Sequence, residues 1–464
     1  MATNFNPIYW NTACLIVNSG SLEDNSEEEI VDIYAPEAQD LSEGIKFIDL
    51  PDKSAKIRKT ASTDYSKLAK AIGDIQAAGI EVSLANINKS KFGFSPDIEN
   101  NKILFGLKGM LNVGDEVVEA IIKNRPYSSL KDFLSKVKPN KQAMISLIKG
   151  GAFDEMEDRK FAMAWYIWET CDKKNRLTLQ NLGGLIKYNL LPEKTEEQIL
   201  ARRVYEFNRY LKAVCKMNDE FYKLDERAIN FLDEIGETSL INNNCLLSTK
   251  NWDKQVYQPF MDIFRDWISA EKETILENLN TKIFFEDWNK YAKGNLSTWE
   301  MEVLCFYYHE HELANVNKIK YGFTDFFKLP EDPEIDRTFK KGDKEIHMFK
   351  LYRICGTCIA KDKTKGTVSL LTDSGVVNVK FRKEYFSLFD RQISEKQPDG
   401  TKKIIEKSWF NRGSMIVVMG MRSGDDFIVK KYASMGEIHQ LYKITDVLPN
   451  GEIILQDERY QGVE

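Results

Sequence analysis

No run of 18 apolar residues occurs in the 464-residue sequence, so no membrane-spanning helix is expected. The start, Met1 to Pro7, has neither a basic segment nor an apolar core, which argues against a secretory signal. Cysteine is sparse and odd in number. Cys14, Cys171, Cys215, Cys245, Cys305, Cys355 and Cys358 are scattered, as reduced thiols of a cytoplasmic protein would be, not as a disulfide frame. Internal repeats and low-complexity tracts are missing. So is any excess of positive charge: 65 Lys and Arg stand against 71 Asp and Glu, a net of −6. Spread evenly, that charge would make a poor nucleic-acid binder. What is present suffices for folded cores. Hydrophobic residues make up 42% and aromatics 11%, which excludes global disorder. The length fits two to four domains at ~100–200 residues each.

The charge is not spread evenly. Residues 1–52 hold eleven acids against Lys46, a net of −10. Residues 102–150 hold nine bases and four acids, and residues 344–432 hold eighteen bases and ten acids. Two basic modules therefore sit inside an acidic chain, and each calls for its own reading.

Residues 5–20 turn from aromatic to apolar and read as a buried helix, followed by an acidic loop over 21–52. From Asp64, Leu68, Ala69, Ile72 and Ile75 follow helical spacing. Gly79 closes that helix in left-handed conformation. Ile80–Val82 reads as a short strand, Asn86–Ser90 as a turn, and Ile103–Phe105 as a strand or helix entry. Residues 155–300 are rich in helix formers. Residues 328–344 form a charged, Pro-punctuated linker. Beyond it the period becomes two, with Ile354, Gly356, Cys358 and Ala360 on one face. Strands at 368–372, 376–381, 415–420 and 427–429 follow, and about five short strands suit an oligonucleotide-binding (OB) type barrel. The expected fold class is multidomain α+β: a mostly helical N-terminal two-thirds and a C-terminal all-β barrel.

The most informative stretch runs from Gly109 to Lys123. A short apolar helix meets a turn ending in Gly114, and a second helix follows with Val117, Val118, Ile121 and Ile122 on one stripe. The turn leaves the amides of Val113, Gly114 and Asp115 at a helix N-terminus, where amides and dipole together favour phosphate oxygens. Gly114 would let a phosphate come close. Asn112 tolerates the positive φ that such a turn can require. Lys108 and Lys123 flank it. A degenerate copy follows, with Pro139–Asn140 as the hairpin and Lys136, Lys138 and Lys141 around it. The pair reads as a tandem helix-hairpin-helix, a sequence-independent grip on DNA; the alternative is an ordinary helical hairpin with solvated lysines.

The hairpins have company. Ala78-Gly79-Ile80-Glu81-Val82, Asn86-Ile87-Asn88-Lys89-Ser90, Val113-Gly114 and Leu147-Ile148-Lys149-Gly150-Gly151-Ala152-Phe153-Asp154 stand in one order and spacing. That run resembles the alpha subunit of the bacterial replicative DNA polymerase III (family C), where "GI-x-V", "(D)IN-x-S" and "LI-x-GAFD" enclose a tandem helix-hairpin-helix. Trp299–Leu313 is similar to the family's "E-x-E-x-LG-x-Y-x-SGHPL" element, with Cys305 in place of Gly and Glu312 in place of Pro. Asn86 stands where an acid is usual, and Asn112 where Gly is frequent.

The resemblance implies the end of the fingers in 1–100, the tandem helix-hairpin-helix in 101–154, a helical connection in 155–327, the linker in 328–344, an OB domain in 345–435 and a β extension in 436–464. It implies a C-terminal portion of such a polymerase. The three palm aspartates have no counterpart here, nor has a phosphoesterase His cluster, so no catalytic residue and no metal ligand is assigned to this chain. Mg2+ would belong to the palm of the complete enzyme, supplied by another chain carrying palm or PHP domains. A split polymerase of this kind would suit a phage genome, acting in the cytoplasm of a bacterial or phage-infected cell. The hairpins would hold duplex product and the barrel the single-stranded template. A stand-alone single-strand-binding or repair accessory protein is the alternative.

Three further patterns remain. In the barrel, Lys361, Lys363, Lys365, Lys380, Arg382 and Lys383, with Phe381 and Tyr385 interleaved, suit phosphate tracking with base stacking. Asn280, Ile283 and Phe284 stand about where the family carries a sliding-clamp peptide, which makes the clamp a candidate partner. Cys355-x-x-Cys358 and His309-x-His311 look metal-like. Strand geometry sends the two thiols to opposite faces, and helix geometry sets the two imidazoles roughly 200° apart, so no metal is expected.

Overall fold

The computed structural model describes residues 7–20, 65–342, 344–396, 402–436 and 438–460; the acidic stretch 21–52, read as a loop, lies outside them. The chain divides into two units, 1–163 with 294–464, and 164–293.

The first unit begins with α1 (Pro7–Ser19) and α2 (Tyr65–Ala77). In α1, Ile8, Thr12, Leu15 and Ser19 recur at helical spacing and are buried. The expectation of a buried helix holds for that face alone, because Tyr9, Trp10 and Val17 are exposed. In α2, Leu68, Ala69, Ile72 and Ile75 are buried, and the chain leaves the helix through Gly79 at φ +80°. A three-stranded sheet follows: β1 (Glu81–Ser83), β2 (Ser95–Asp97) and β3 (Lys102–Leu104). The middle strand, β3, runs parallel to β1 and antiparallel to β2. Then come α3 (Asp115–Lys123), α4 (Leu130–Val137), α5 (Lys141–Lys149) and α6 (Arg159–Thr170). Before α3 the apolar helix expected from sequence is only a 3-10 turn, Leu107–Gly109. The chain is pressed against its neighbours there: a Cβ on Gly106 would lie 2.3 Å from the Gly93 carbonyl carbon.

The second unit holds α7 (Leu182–Lys187), α8 (Glu196–Tyr210), α9 (Glu226–Glu234) and α10 (Gln258–Tyr291), with β4 (Phe221–Lys223) paired to β5 (Leu246–Ser248). One core gathers around Phe207, Leu211 and Trp252, the other around Leu185, Met261, Phe264 and Leu279. The long helix α10 bends at Glu271, where φ and ψ are −121° and 20°.

The chain returns to the first unit with α11 (Leu296–Leu304). The stretch read as a linker, 328–344, contains β6 (Ile335–Lys341), which forms a hairpin with β7 (Lys344–Phe349). The barrel follows: β8 (Tyr352–Asp362), β9 (Thr367–Thr372), β10 (Gly375–Lys380), α12 (Lys383–Asp390), the hairpin β11 (Ile393–Lys396) and β12 (Lys402–Glu406), β13 (Met415–Ser423) and β14 (Asp426–Val429). Its strands close in the order β8-β9-β10-β14-β13-β8, with β10 and β14 parallel. Five strands with a helix between the third and fourth are the OB arrangement, so the α+β class with a C-terminal OB-like barrel stands. β15 (Leu441–Val447) and β16 (Ile453–Gln456) continue the sheet from β13. The interior is filled by Ile354, Cys358, Val368, Leu370, Val377, Phe381, Trp409, Phe410 and Phe427 among others. One sequence expectation fails locally. A bulge between Cys358 and Ala360 shifts the alternation, so Ala360 leaves the face it was expected to share with Ile354 and packs outside the barrel.

Candidate nucleic-acid interface

The first hairpin is built by its turn. Asn112 takes φ +62°, the conformation expected of it, and its side-chain amide donates to Ser146 Oγ at 3.4 Å. Val113 is buried and pins the turn to the core. Gly114 is the N-cap of α3 and offers no side-chain cap. The amides of Val117 and Val118 both donate to the Gly114 carbonyl, and those of Gly114, Asp115 and Glu116 have no acceptor among the described residues. Such first-turn amides face outward with the positive end of the helix dipole. Gly114 itself has an ordinary φ of −78°, and a Cβ added there would meet nothing within 4 Å. The fold does not need glycine at this place. Lys108 is ion-paired with Asp115, which offsets one of the two acids beside the amides. Lys123 lies in the last turn of α3, about 13.5 Å along the axis from Gly114 at ~1.5 Å per residue, so it does not flank the turn.

The second hairpin is made differently. Lys138 ends α4 in left-handed conformation at φ +50°. Asn140 caps α5, its side chain accepting from the Ala143 amide at 2.9 Å. One amide is thus satisfied internally, and what the turn presents is cationic: Lys138 is exposed and Lys141 half-buried. Lys136 is held in the structure, donating to Asp132 at 2.9 Å and to the Pro126 carbonyl at 2.8 Å.

Polar side chains mount the two hairpins on the sheet. The Asn86 side-chain oxygen accepts from the amides of Asn88 (2.8 Å) and Lys89 (3.0 Å), and Ser90 Oγ accepts from the Asn86 amide at 2.8 Å. An amide oxygen fills this acceptor role as a carboxylate would, which explains Asn at a place where an acid is usual. Asn88 then pairs both ways with the backbone of Tyr127, at 2.9 and 2.8 Å. Arg125 donates to the carbonyls of Ile87 and Ser90. At the far end, Arg159 joins Asp154 to Glu300 (2.9 Å) and also reaches the Lys149 carbonyl at 3.2 Å. Glu300 has no exposed surface and further accepts from the amides of Tyr308 and His309, both at 3.0 Å. Asn88, Arg125, Arg159 and Glu300 were not singled out from sequence. Asn88 and Glu300 lay inside recognised motifs, whereas nothing local marked the two arginines.

The segment after α11 joins this module to the barrel. Cys305 adopts φ +66°, a conformation that glycine takes most easily. Glu312 accepts from Tyr307 (2.9 Å), whose hydroxyl also meets Thr357 of β8 at 2.9 Å. The His311 Nδ1 accepts from the Leu313 amide, so its Nε2 carries the proton and donates to the Leu371 carbonyl at 3.0 Å. Burial holds the His311 pKa below the usual imidazole value, in keeping with this neutral form. His309 is bonded to Glu300 instead. Burial pushes the Cys355 thiol up to about 12 and raises that of Cys358, which keeps both protonated. Among the described residues no group of three or more His, Cys, Asp or Glu could hold a metal ion.

The barrel corrects part of the sequence reading. Phe381 is 7% exposed, its ring 4.9 Å from that of Phe410 in the core, and cannot stack on a base. Tyr385 is half-buried against Phe389. Lys361 and Lys363 both pair with Asp390, Lys365 with Asp362 at 3.7 Å, and Lys380 with Asp426 at 2.6 Å. Arg382 and Lys383 are exposed, with no ion pair recorded among the described residues. They lie beside the β8–β9 turn, where Phe381 and Gly366 share a backbone hydrogen bond of 2.9 Å. One end of the outer face of β8, β9 and β10 is covered from within the unit, while Lys380 farther along is exposed. Ile359, Ala360, Leu371 and Val376 pack against Ala69 of α2 and against Met301, Cys305 and Tyr307. OB barrels commonly receive oligonucleotides on that part of the sheet.

The three clamp-peptide candidates are placed on a helix of the second unit. Asn280 lies within α10 and is engaged both ways with the backbone of Lys174, at 2.7 and 2.9 Å. Phe284 packs with Trp168 and Trp288, and Ile283 belongs to the core around Phe264. A helical segment with its polar and apolar groups thus committed is not a free docking peptide.

Comparison with known proteins agrees with this architecture. Residues 79–162 match the family described as "Helix-hairpin-helix motif". The chain is 36% identical over 468 aligned positions to the probable DNA polymerase YorL of Bacillus subtilis, covering 98% of this chain and 33% of that protein. A DNA-directed DNA polymerase of Bacillus phage SPbeta matches to the same extent. The DNA polymerase III subunit alpha of Thermus aquaticus is 39% identical over 108 residues, 22% of this chain and 9% of its own length. The chain thus spans about a third of the length of the first two relatives. These matches bear out the resemblance to the alpha subunit of DNA polymerase III.

Proposed function

We propose that this relative of DNA polymerase III alpha is the DNA-gripping part of a replicative polymerase, working in the cytoplasm of a bacterial or phage-infected cell. The observation that carries the reading is the open turn at Gly114: outward amides at a helix N-terminus, a residue with no side chain, and space that the fold leaves unfilled. Duplex phosphate would sit on those amides, with Lys138 and Lys141 adding sequence-independent attraction. The barrel's share is cationic and lies with Arg382, Lys383 and the β8–β9 turn, where a single-stranded template would pass. Nucleotidyl transfer would draw its Mg2+ and its carboxylates from a palm on another polypeptide, and no metal step is assigned to the residues described. The sliding clamp has no part in this reading.

Gly114→Asp tests it. Asp is a good N-cap, so the helix keeps its stability while the carboxylate takes the amides that a phosphate would use. Affinity for a duplex, read by fluorescence anisotropy, is expected to fall at least tenfold, a loss of about 1.4 kcal/mol, at an unchanged melting temperature. Parent-like affinity would sink the phosphate grip. Robust primer extension by the purified chain alone would overturn the assignment of catalysis to another polypeptide. The alternative of a stand-alone single-strand-binding protein is the less favoured, because part of the barrel's usual binding face is covered.

A further inference from the structure

The hairpin that leads into the barrel has no core of its own. β6 and β7 pair only with each other among the described residues, and none of their described residues is buried. From Ile335 to Lys340 every residue is exposed, Ile335 at 54% and Phe339 at 45%. The base, by contrast, is fixed. The Phe349 amide donates to the Tyr432 hydroxyl at 2.6 Å, the Lys350 amide donates to the Glu334 carbonyl at 2.8 Å, and Lys430 lies over the Phe349 ring. From that base Phe339 stands about 13 Å along the strand from Ile335 at ~3.3 Å per residue. A two-stranded hairpin is marginal in water unless one face is packed, so an aromatic ring left in solvent on such a hairpin calls for an occupant.

The residues of the hairpin sort by face. Arg337 and Phe339 share one face, with Met348 and Ile346 opposite them in register. Thr338 and Lys340 share the other, opposite His347 and Glu345, and Thr338 Oγ1 lies 2.8 Å from His347 Nδ1. The face that bears the ring thus carries a guanidinium and no carboxylate at these positions. The turn end, 340–344, reads Lys-Lys-Gly-Asp-Lys, three bases against one acid. Lys340 is exposed, and no ion pair is recorded for it among the described residues.

We propose that the β6–β7 hairpin binds single-stranded nucleic acid, with a base stacked on Phe339 and the phosphates following Lys340 and the basic turn. This rests on the DNA-gripping reading above and adds to it a site outside the barrel. Charge chooses the occupant: residues 335–350 carry five bases and three acids, in a chain whose net charge is −6. An exposed ring among cations holds a strand without reading its sequence, because every base has a face to stack. An unpaired strand fits better than a duplex, in which those faces are already stacked on one another.

The test uses the full chain and a fluorescein-labelled single-stranded oligothymidine, titrated by anisotropy at several salt concentrations. Phe339→Leu keeps apolar bulk and removes the ring. It is expected to lower affinity at least fivefold with an unchanged salt slope, while Phe339→Trp keeps affinity at or above the parent's. Lys340→Ala should instead flatten the dependence of log affinity on log salt by about 0.7. Circular dichroism and duplex affinity should stay as in the parent for all three. Gly114→Asp should do the reverse, losing duplex and keeping the oligothymidine, so failure of one reading is separable from failure of the other. Parent-like affinity in Phe339→Leu would overturn the proposal, as would a loss confined to duplex or an equal loss in Phe339→Trp. A parent that self-associates, with a monomeric Phe339→Leu, would assign the ring to a second copy and overturn it equally.

Discussion

The turn at Gly114 and the basic strands of the barrel look equally suited to DNA on charge and composition, yet the structure treats them oppositely. At the turn the candidate groups are backbone amides, whose direction is fixed once Asn112 sets the chain path. Of the two acids in that first turn, Asp115 is held by Lys108. In the barrel the candidates are long side chains, and four of the lysines have found carboxylates of their own: Asp390 twice, Asp362 and Asp426. The interleaved aromatic Phe381 has gone to the core. A lysine count measures potential; a backbone turn measures geometry. The sharpest way to break this contrast is Phe381→Ala. Emptying a core site next to Phe410 should cost about 3–5 kcal/mol of stability, as large-to-small aromatic substitutions do. Denaturant melts would read that loss. A variant of normal stability that had lost only single-strand affinity would return Phe381 to the binding surface and erase the difference.

The two hairpins sharpen the same contrast on a smaller scale. One leaves its N-cap bare, and the other caps itself with Asn140. Asn140→Ala should therefore cost about 1 kcal/mol of stability, the usual worth of such a cap, with duplex affinity little changed. Thermal melts beside anisotropy titrations check it. A loss of affinity comparable to that of Gly114→Asp would mean that both turns grip phosphate alike. Sequence made both turns visible because glycine, asparagine and proline punctuate helices by local sterics. The barrel strands were visible through their period of two. What stayed hidden depends on long-range partners. Arg159 meets Glu300 across 141 positions, and Lys361 meets Asp390 only after the barrel closes around α12. The cover over β8–β10 was hidden for the same reason: Ala69 reads as ordinary helix core until the sheet it packs on is known. The bulge at Cys358 likewise left no local mark, since it comes from pairing with β9.

The smallest effect separates free cations from paired ones within the barrel itself. Arg382 and Lys383 sit at the start of α12, exposed and without recorded ion pairs, whereas Lys380 is bonded to Asp426. A cation that neutralises a phosphate releases counterions, so its removal flattens the dependence of log affinity on log salt by about 0.7 for a single strand. The double variant Arg382→Ala with Lys383→Ala should thus lower the slope for a single-stranded oligonucleotide by about 1.4. Lys380→Ala removes a charge already offset by a carboxylate and frees Asp426, so affinity falls a little while the slope barely moves. Titrations at several salt concentrations distinguish the two. Equal flattening by both variants would show that Lys380 leaves Asp426 for DNA. The barrel's ion pairs would then be a resting arrangement that template displaces, and the contrast with the fixed amides of the hairpin would be one of strength, not of kind.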